Sequence, residues 1–527
     1  MVGEIGLLDD EPRSATVYAA RDSDLVRFSK PVFQAVVSRY PLVMLEVART
    51  VLRRTRSPVS GKTAAPVSSM VLVPLGTRVD LRAFAGRLAN ALGRLGPTVH
   101  LWSAKVDNLL SHPGAAQSDA SDIGDMRLTQ WLEEIADSHR FTVYEADREW
   151  SAWSRRALRH ADQIVLVAHA SESPEQGPME RRLREAMHSE RYPHTVLVLL
   201  QDPRAERPVA TAPWLEARRV DDHHHVRGGS VGDFARLARI LGGEATSLVL
   251  SGGGARGFAH LGVLQSLEEL GVPVDMVAGT SIGSVMASVV AMDVAPSARI
   301  PLVVRQFRDL LDYTLPLVSM TSGRRVTQSM REVYGDRDIE DLWLPFFCVS
   351  TSLTRARTVL HRRGPLVQAL RASVAIPGLF PPVPDGDDLL VDGGLLNNLP
   401  VDVMRRRNQS GTIVAVDVAP PMGPSAKEDF GLHVSGWSIL GGRILPGRTA
   451  SKVPGITDTL LRSTLVAAMR DRDRYVKDGL ADLYLDLDLH GWGLLAFDAV
   501  AEVARRGYEL AAPRIEKWLA TREEWHV

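Results

Sequence analysis

The 527-residue sequence contains a single cysteine, Cys348. One cysteine cannot form a disulfide within the chain, which excludes a disulfide-stabilised secreted scaffold and fits a reducing compartment. Cys348 lies in the apolar run 344–349 and has no basic neighbour that would lower the pKa of its thiol. We therefore predict a buried structural thiol and not a nucleophile.

The sequence also lacks an excess of charge and a long apolar run. It has 62 basic and 63 acidic residues, which argues against a general electrostatic grip on nucleic acid. The most apolar stretch, 272–295, is interrupted by Pro273, Asp275 and Asp293, so it predicts a buried strand–turn–helix and not a membrane span. The first residues lack the basic start and apolar core of a signal peptide. We expect a cytoplasmic protein that contacts the inner face of the membrane only peripherally.

Length and composition predict several globular domains. Hydrophobic residues make up 45% and charged residues 24%, which is ordinary for globular proteins. Residues 57–69 are rich in Ser, Pro, Gly and Lys and are predicted to be a linker. We divide the rest into an N-terminal fragment (1–56), an intermediate domain (70–243), a third domain (244–420) and a C-terminal extension (421–527).

The intermediate domain alternates strand-like and helix-like segments, which is typical of βαβ units and predicts a Rossmann-like parallel sheet. The predicted strands span 70–75, 99–102, 142–145, 163–168 and 195–200. No glycine-rich phosphate-binding turn follows the first of them. His223, His224 and His225 are consecutive, so they cannot all face one metal ion from a strand or helix, and they predict a surface loop or an edge strand.

A glycine-rich turn follows the first apolar strand of the third domain. Strand 247–251 leads into Gly252-Gly253-Gly254-Ala255-Arg256-Gly257. A helical pattern follows over 258–270, so this turn can present free N–H groups to an anion. The same string is compatible with a dinucleotide site, but Asp275 precedes the next strand instead of ending it. That position disfavours a dinucleotide-dependent oxidoreductase.

The next strand ends in the string Gly279-Thr280-Ser281-Ile282-Gly283, and a helix of small residues is predicted over 284–292. A GxSxG string between a strand and a helix is a nucleophile elbow, in which the glycines permit a tight turn. The serine hydroxyl then lies at the head of a helix, whose dipole favours developing negative charge. We predict that Ser281 is a nucleophile.

A serine nucleophile needs a base to take its proton. His361 and His490 lie in no recognisable catalytic loop, and both are predicted to be surface residues. Asp392 ends an apolar strand and is followed by Gly393 and Gly394. The carboxyl ends of parallel strands carry ligand-facing groups, which favours Asp392 as the base, although an Asx turn explains the same pattern equally well.

In this order, the glycine turn, the elbow and the Asp392 turn resemble the patatin-like phospholipases. The strings at 372–383, 397–400 and 413–418 also match that family. The resemblance implies a three-layer α/β/α domain with a mainly parallel sheet, and a Ser281–Asp392 dyad without histidine. His260 also fits the family string and is predicted to be structural.

The resemblance further implies a lipid ester substrate, an acyl-serine intermediate and no metal or organic cofactor. Backbone N–H groups of the 252–257 turn, helped by Arg256, would stabilise the oxyanion. Leu379, Phe380, Pro381 and Pro382 are candidates for the rim of an acyl channel, and equally for the core. The Gly- and Pro-rich residues 421–448 are predicted to form an exposed loop for membrane docking.

Two further stretches resemble parts of one larger architecture. Residues 144–167 are similar to the segment before the catalytic domain of neuropathy-target-esterase-like proteins. The strings Gly3-Glu4-Ile5-Gly6-Leu7-Leu8 and Pro12-Arg13 resemble the phosphate-binding cassette of cyclic-nucleotide-binding domains. This resemblance implies that Glu4 holds a ribose hydroxyl and Arg13 a cyclic phosphate.

In that family most of the β-roll precedes the cassette. We therefore expect residues 1–56 to be a truncated β-roll and helix remnant that binds no cyclic nucleotide. The whole chain resembles the bacterial neuropathy-target-esterase-like subgroup with such a truncated domain. A serine esterase acting on acyl esters of (lyso)phospholipids or related lipids is the favoured function. A cyclic-nucleotide-linked regulatory or scaffold protein with little turnover is the alternative.

Overall fold

The computed structural model describes residues 29–40, 67–118, 123–186, 194–419 and 478–523, together with Ser435 and Tyr475. The chain divides into two compact units between Ala245 and Thr246. In the N-terminal fragment the described residues form helix α1 (Lys30–Arg39), which has proline in its first turn, where the missing N–H costs no hydrogen bond. Among the described residues no helix combines the length and the apolar composition needed to cross a bilayer.

The first unit is built on a six-stranded parallel sheet in the order β2-β3-β1-β4-β5-β6. Its strands are β1 (Ser69–Leu75), β2 (Thr98–Leu101), β3 (Phe141–Glu145), β4 (Gln163–His169), β5 (His194–Gln201) and β6 (Asp222–Arg227). Every residue of β1 is buried, as expected for a central parallel strand with both faces covered. The five strands predicted from the sequence are confirmed. Most of their ends differ from the predicted ends by one residue.

Helices cover both faces of this sheet and create two separate cores. They are α2 (Leu81–Leu92), α3 (Ser103–Leu109), α4 (Ile123–Ser138), α5 (Ala152–His160), α6 (Pro178–Ala186), α7 (Thr211–Ala217) and α8 (Val231–Leu241). Phe84 of α2 packs against Phe234 of α8 in one core, with ring centroids 5.3 Å apart. Trp153 of α5 lies fully buried in the other. The predicted second α/β domain with a parallel sheet is confirmed.

The consecutive histidines form part of β6, the last strand of the sheet, so the predicted edge strand is confirmed. His224 and His225 are buried, and Nδ1 of His225 lies 3.1 Å from Nε2 of Gln201. In the described part of the chain no group of three or more His, Cys, Asp or Glu side chains is placed to hold a metal ion.

The second unit contains an eight-stranded mixed sheet in the order β11-β12-β9-β8-β7-β13-β14, with β10 paired to β9. Strands β7, β8, β9, β13 and β14 run parallel, and β10, β11 and β12 pair antiparallel. The strands are β7 (Thr246–Leu250), β8 (Met276–Thr280), β9 (Phe346–Ser352), β10 (Arg357–His361), β11 (Val383–Asp385), β12 (Asp388–Asp392), β13 (Thr412–Asp417) and β14 (Leu483–Asp486). The predicted α/β class with a mainly parallel sheet is confirmed.

The helices of this unit are α9 (Ala259–Glu269), α10 (Ile282–Ala291), α11 (Pro296–Gln306), α12 (Arg324–Tyr334), α13 (Leu366–Ser373), α14 (Val401–Arg407) and α15 (Val500–Glu523). The C-terminal helix α15 packs directly on α9. A Cβ at Gly262 would lie 1.9 Å from the carbonyl oxygen of Ala504, and one at Gly507 would lie 2.3 Å from that of Ala259. Only glycine therefore permits this close approach, which holds α15 beside the helix that follows the glycine-rich turn.

Candidate active site

The elbow at Ser281 is a strained turn between β8 and α10. Ser281 has φ 52° and ψ −129°, a backbone conformation that non-glycine residues rarely adopt outside functional turns. A Cβ at Gly279 would lie 2.3 Å from the carbonyl carbon of Gly283, and a Cβ at Gly283 would lie 2.3 Å from the carbonyl oxygen of Leu250. The flanking glycines are therefore required by contact with backbone atoms, which cannot move aside as side chains can.

Ser281 and Asp392 form a direct hydrogen bond. The Ser281 hydroxyl donates to Oδ2 of Asp392 at 2.6 Å, and the amide of Gly394 donates to Oδ1 at 2.7 Å. Both side chains are buried, with 6% and 5% exposed. Burial raises the pKa of Asp392 to about 6, although its two hydrogen bonds act in the opposite direction. A carboxylate with a pKa near neutrality is a suitable proton acceptor for a serine.

Asp392 reaches the site by a route that the sequence argument did not foresee. We expected it at the carboxyl end of a parallel strand, but β12 runs antiparallel to β9. In the register, Thr280 lies opposite Val349 and Asp392 lies opposite Ser350, the next residue along β9. Strand β12 therefore ends level with the elbow, and Gly393 passes Val349 so closely that a Cβ there would lie 2.4 Å from its carbonyl oxygen.

The glycine-rich turn lies against the nucleophile and leaves two backbone donors free. The amide of Gly252 donates to the carbonyl of Asn398 at 3.2 Å, and that of Ala255 donates to the carbonyl of Leu494 at 2.8 Å. Within the part of the chain that the structure describes, the amides of Gly253 and Gly254 have no acceptor. Gly254 has φ +57° and lines the same cavity as Ser281. Of the six predicted residues, these two supply the available N–H groups.

Arg256 and Gly257, the last two residues of the glycine-rich turn, make contacts that hold the turn in place. Nε of Arg256 donates to the carbonyl of Trp492 at 2.9 Å, which links the 3₁₀ turn Gly254–Phe258 to the C-terminal segment. A Cβ at Gly257 would lie 2.3 Å from the side chain of Ile282, so this glycine lets the turn approach the elbow. A contact between Arg256 and an oxyanion stays a prediction.

Three supporting residues were not assigned a role from the sequence. Oγ of Ser373 accepts from the amide of Ser281 at 2.9 Å and donates to the carbonyl of Val349 at 2.8 Å. Nδ2 of Asn398 donates to the carbonyl of Gly252 at 3.1 Å. Ser373 and Asn398 lie in strings that matched the family, which was the available signal. The carbonyl of Leu494, which accepts from the glycine turn, belongs to a stretch with no such signal.

An apolar cavity of about 50 Å³ opens beside Ser281. Helices α10, α11 and α12 provide six of its 14 lining residues, and Phe497, which precedes α15, provides another. The lining residues are Gly254, Ser281, Ile282, Val285, Gln306, Phe307, Leu310, Val326, Ser329, Met330, Val374, Ile376, Phe380 and Phe497. Phe380 and Leu379 are buried, so they belong to the wall and the core and not to an exposed rim.

The histidines predicted to be outside the chemistry do not contact Ser281. His361 is half-buried on β10 instead of lying at the surface, because Nε2 of its ring lies 2.7 Å from Oγ of Ser350. His490 is exposed beside Asp488. His260 is fully buried with Nε2 3.0 Å from the carbonyl of Ser251, and burial lowers its pKa to about 4, so the ring is neutral. Burial has the opposite effect on the acidic thiol of Cys348, whose pKa it raises.

Two predictions fall on residues that the structure does not describe. Glu4 and Arg13, the candidate nucleotide contacts, lie outside the described residues. The same holds for the proposed docking loop 421–448, apart from Ser435.

Comparison with known proteins identifies both units. Residues 248–405 match the family described as patatin-like phospholipase, and residues 67–231 match the neuropathy target esterase family P-loop like domain. The chain is 33% identical over 559 residues to neuropathy target esterase sws of Drosophila melanogaster. It is 31% identical over 574 residues to patatin-like phospholipase domain-containing protein 6 of Mus musculus, and 30% identical over 598 residues to lysophospholipase NTE1 of Mycosarcoma maydis.

These matches cover 96%, 98% and 98% of this chain but only 38%, 41% and 31% of the respective relatives. The chain therefore spans well under half of the length of these relatives. Residues 248–405, which include Ser281 and Asp392, are therefore similar to the patatin-like phospholipase family, and residues 67–231 are similar to the neuropathy target esterase family P-loop like domain.

Proposed function

We propose that this protein is a serine esterase that hydrolyses acyl esters of phospholipids, lysophospholipids or related lipids. The observation that carries the proposal is the buried 2.6 Å hydrogen bond from Ser281 to Asp392 beside an apolar cavity. The names of the relatives support the same reaction class, since they include a lysophospholipase and two esterase or phospholipase-domain proteins. The residue roles and the substrate class given below are part of this proposal.

In the first step Ser281 attacks the ester carbonyl and Asp392 takes the hydroxyl proton. The carbonyl oxygen becomes an oxyanion, and we assign its stabilisation to the amides of Gly253 and Gly254, which have no acceptor among the described residues. Collapse of this intermediate expels the alcohol, here the lysolipid or glycerol-phosphate part of the substrate. The alcohol leaves with the proton held by Asp392, so the carboxylate is regenerated and the acyl group remains on Ser281.

In the second step water attacks the acyl-serine. Asp392 takes a proton from the water, and the same backbone amides stabilise the second oxyanion. When the intermediate collapses, the Ser281 oxygen leaves and recovers the proton from Asp392. The products are a fatty acid and the free enzyme, and the sequence of steps requires no metal ion or organic cofactor.

The cavity favours an acyl chain as the group that binds next to Ser281. Apolar side chains such as Val285, Val326 and Met330 form its wall, and burying methylene groups against them is favourable. Gln306 and Ser329 are the polar exceptions besides Ser281, and Oε1 of Gln306 is buried with no partner among the described residues. A long hydrocarbon chain thus fits the wall better than a charged or sugar-like group.

Hydrolysis of a short nitrophenyl ester and of a lysophospholipid tests the proposal. We expect Ser281→Ala and Asp392→Asn to reduce kcat by at least about a thousandfold, as for other members of a catalytic dyad or triad. Asp417→Asn is the matched control, because Asp417 is another buried carboxylate at the end of a strand in the same sheet. A fluorophosphonate probe should label Ser281 in the wild type. A wild type without turnover or labelling would favour the regulatory or scaffold function.

The remaining expectations are also proposals. We place the catalytic core at 244–420, with 421–527 as its C-terminal extension, 70–243 as the intermediate domain, and 57–69 as a linker. Residues 1–56 are proposed to belong to a cyclic-nucleotide-binding-like domain, as in the bacterial subgroup that the sequence resembles. A location in the cytoplasm, peripheral at the inner face of the membrane, follows from the lipid substrate.

A further inference from the structure

Among the described residues of the second unit, the most exposed large apolar side chains are concentrated in one short loop. We define the 313–318 loop as Tyr313, Thr314, Leu315, Pro316, Leu317 and Val318. Four of these residues are hydrophobic and are 72–85% exposed: Tyr313, Leu315, Leu317 and Val318. Single exposed apolar residues are common, but four within six residues form a patch of the kind found at protein or membrane interfaces.

The base of the loop is ordered, so the exposure of its tip is fixed by the structure. Tyr313 and Thr321 form an antiparallel bridge, and the amide of Thr314 donates to the carbonyl of Met320 at 3.0 Å. The carboxylate of Asp312 accepts from the amides of Gly323, Arg324 and Arg325 at 3.0–3.2 Å. Thr321 is fully buried, whereas Leu317, four residues earlier, is 85% exposed.

The loop is joined to the wall of the catalytic cavity. The amides of Met320 and Thr321 donate to the carbonyls of Gly378 and Leu379 at 2.8 and 3.1 Å, directly before Phe380 of the wall. On its other side the loop follows Leu310, which lines the cavity. Leu310 also lines an adjoining surface groove, as do two further cavity residues, Phe307 and Phe497. This groove, which has both apolar and charged side chains, thus adjoins the cavity of Ser281 and lies next to the residues that precede the loop.

The charges beside the loop nearly balance. Arginines and aspartates occur together in the groove and the flanking segments, at Arg305, Arg308, Asp309, Asp312, Arg324, Arg325 and Asp498, a net charge of +1. A mixed collar of this kind suits the headgroup layer of zwitterionic lipids, which presents both signs of charge. A strongly basic collar would instead be expected for a surface that recognises anionic lipids or nucleic acid.

We propose that the 313–318 loop inserts into a lipid surface and places the mouth of the groove against it, so that a lipid enters the catalytic cavity without crossing water. Apolar insertion, and not charge, provides most of the binding. Leu315, Leu317 and Val318 enter the acyl boundary, and Tyr313 lies at the headgroup level, where tyrosine is favoured. The route to Ser281 rests on the proposed esterase function, whereas the docking itself does not.

Co-sedimentation with phosphatidylcholine vesicles tests docking without turnover when the protein carries Ser281→Ala. In this background, adding Leu315→Ser, Leu317→Ser and Val318→Ser should weaken vesicle binding by at least about tenfold, because three apolar side chains no longer leave water. The fold should be retained, since these side chains are exposed. The matched control is Leu109→Ser with Val231→Ser, two exposed apolar residues of the first unit, and it should bind as the parent does.

Varying the salt concentration and the lipid composition distinguishes apolar insertion from electrostatic attraction as the main force in vesicle binding. Binding of the parent should change less than about threefold between low and high salt, since apolar insertion is not screened. Addition of phosphatidylglycerol should produce a similarly small change. A parent that needs phosphatidylglycerol and is released by salt would overturn insertion as the main force. A loop variant that binds as the parent does, or a parent that does not bind, would overturn the proposal.

Turnover distinguishes failure of docking from failure of the proposed function. With Ser281 restored, the loop variant should hydrolyse a soluble nitrophenyl ester within about twofold of the wild type and lose at least about tenfold on vesicle lipid. Equal activity of both proteins on vesicles would overturn the lipid route. Vesicle binding without hydrolysis of any ester would reject the esterase and leave docking intact. Sedimentation velocity identifies one competing occupant: a wild-type dimer that the loop variant dissociates would make this loop a chain–chain contact and overturn the proposal.

Discussion

Replacing Asp392 by asparagine measures how much the buried, charged carboxylate lowers the free energy of unfolding. Burial raises the pKa of Asp392 from an ordinary value of 3.8 to about 6. At about 1.4 kcal/mol per pH unit, this difference corresponds to about 3 kcal/mol between the charged and neutral forms. Because the folded-state pKa lies above the unfolded one, the carboxyl contributes its full stability below about pH 4 and loses it as the pH rises through 6.

Asparagine has the shape of the neutral carboxyl and does not ionise. We therefore expect Asp392→Asn to have the same free energy of unfolding as the wild type near pH 4, and to exceed it by up to about 3 kcal/mol near pH 8. The variant should at the same time be inactive. Ser281→Ala is the control, because it is also inactive but keeps the carboxylate and removes a hydrogen bond that lowers its pKa.

Hydrogen exchange of amides in β7 and β8 reports this free energy for the second unit alone, which avoids a global transition that mixes two units. Wild type and variant are compared at each pH, so the intrinsic pH dependence of exchange cancels. The reasoning is refuted if Asp392→Asn is no more stable than the wild type at pH 8. It is refuted equally if the difference does not shrink on acidification, or if Ser281→Ala shows the same gain.

Three further predictions concern the pH profile, the elbow and the cavity. The value of kcat/KM for a soluble ester should fall about tenfold per pH unit below about pH 6, as Asp392 becomes protonated, and a flat profile to pH 4 would contradict its role as base. Gly283→Ala, whose Cβ would lie 2.3 Å from the Leu250 oxygen, should destabilise the protein by about 1–3 kcal/mol or more and abolish activity. Gly491→Ala, with open space around it, is the control, and equal melting temperatures would count against the steric argument. Met330→Trp should fill the cavity and reduce hydrolysis of long acyl chains while sparing a short ester; an unchanged chain-length profile would place the acyl site elsewhere.

The elements predicted well from the sequence are those whose requirements are local. The elbow at 279–283 was recognisable because strand, turn and helix are consecutive and because the steric need for glycine is satisfied within a few residues. The strands of the first unit were recognisable because parallel strands covered on both faces are continuous apolar runs. Asp392 was also identified, but the reason given for it was wrong, since β12 runs antiparallel to β9.

The features that were missed depend on contacts between distant residues. Two of the six candidates of the glycine turn, Gly252 and Ala255, are excluded as free donors only because the carbonyls of Asn398 and Leu494, more than 140 residues away, accept from their amides. For Leu379 and Phe380 the sequence left a rim and a core position equally open, and both residues are buried, whereas the exposed 313–318 loop carried no motif. Burial of a hydrophobic residue depends on its neighbours in space, and these cannot be read from a single sequence.

The sequence by itself determined the chemistry that this chain offers: a serine on an elbow, a glycine turn able to bind an anion, and an aspartate before two glycines. Each is a short string whose backbone sterics permit few alternatives. Only the tertiary structure decided how these strings operate together. It set the 2.6 Å hydrogen bond between Ser281 and Asp392, the free amides and the apolar cavity. It also raised the pKa of the base, because desolvation arises from packing by residues far apart in the chain.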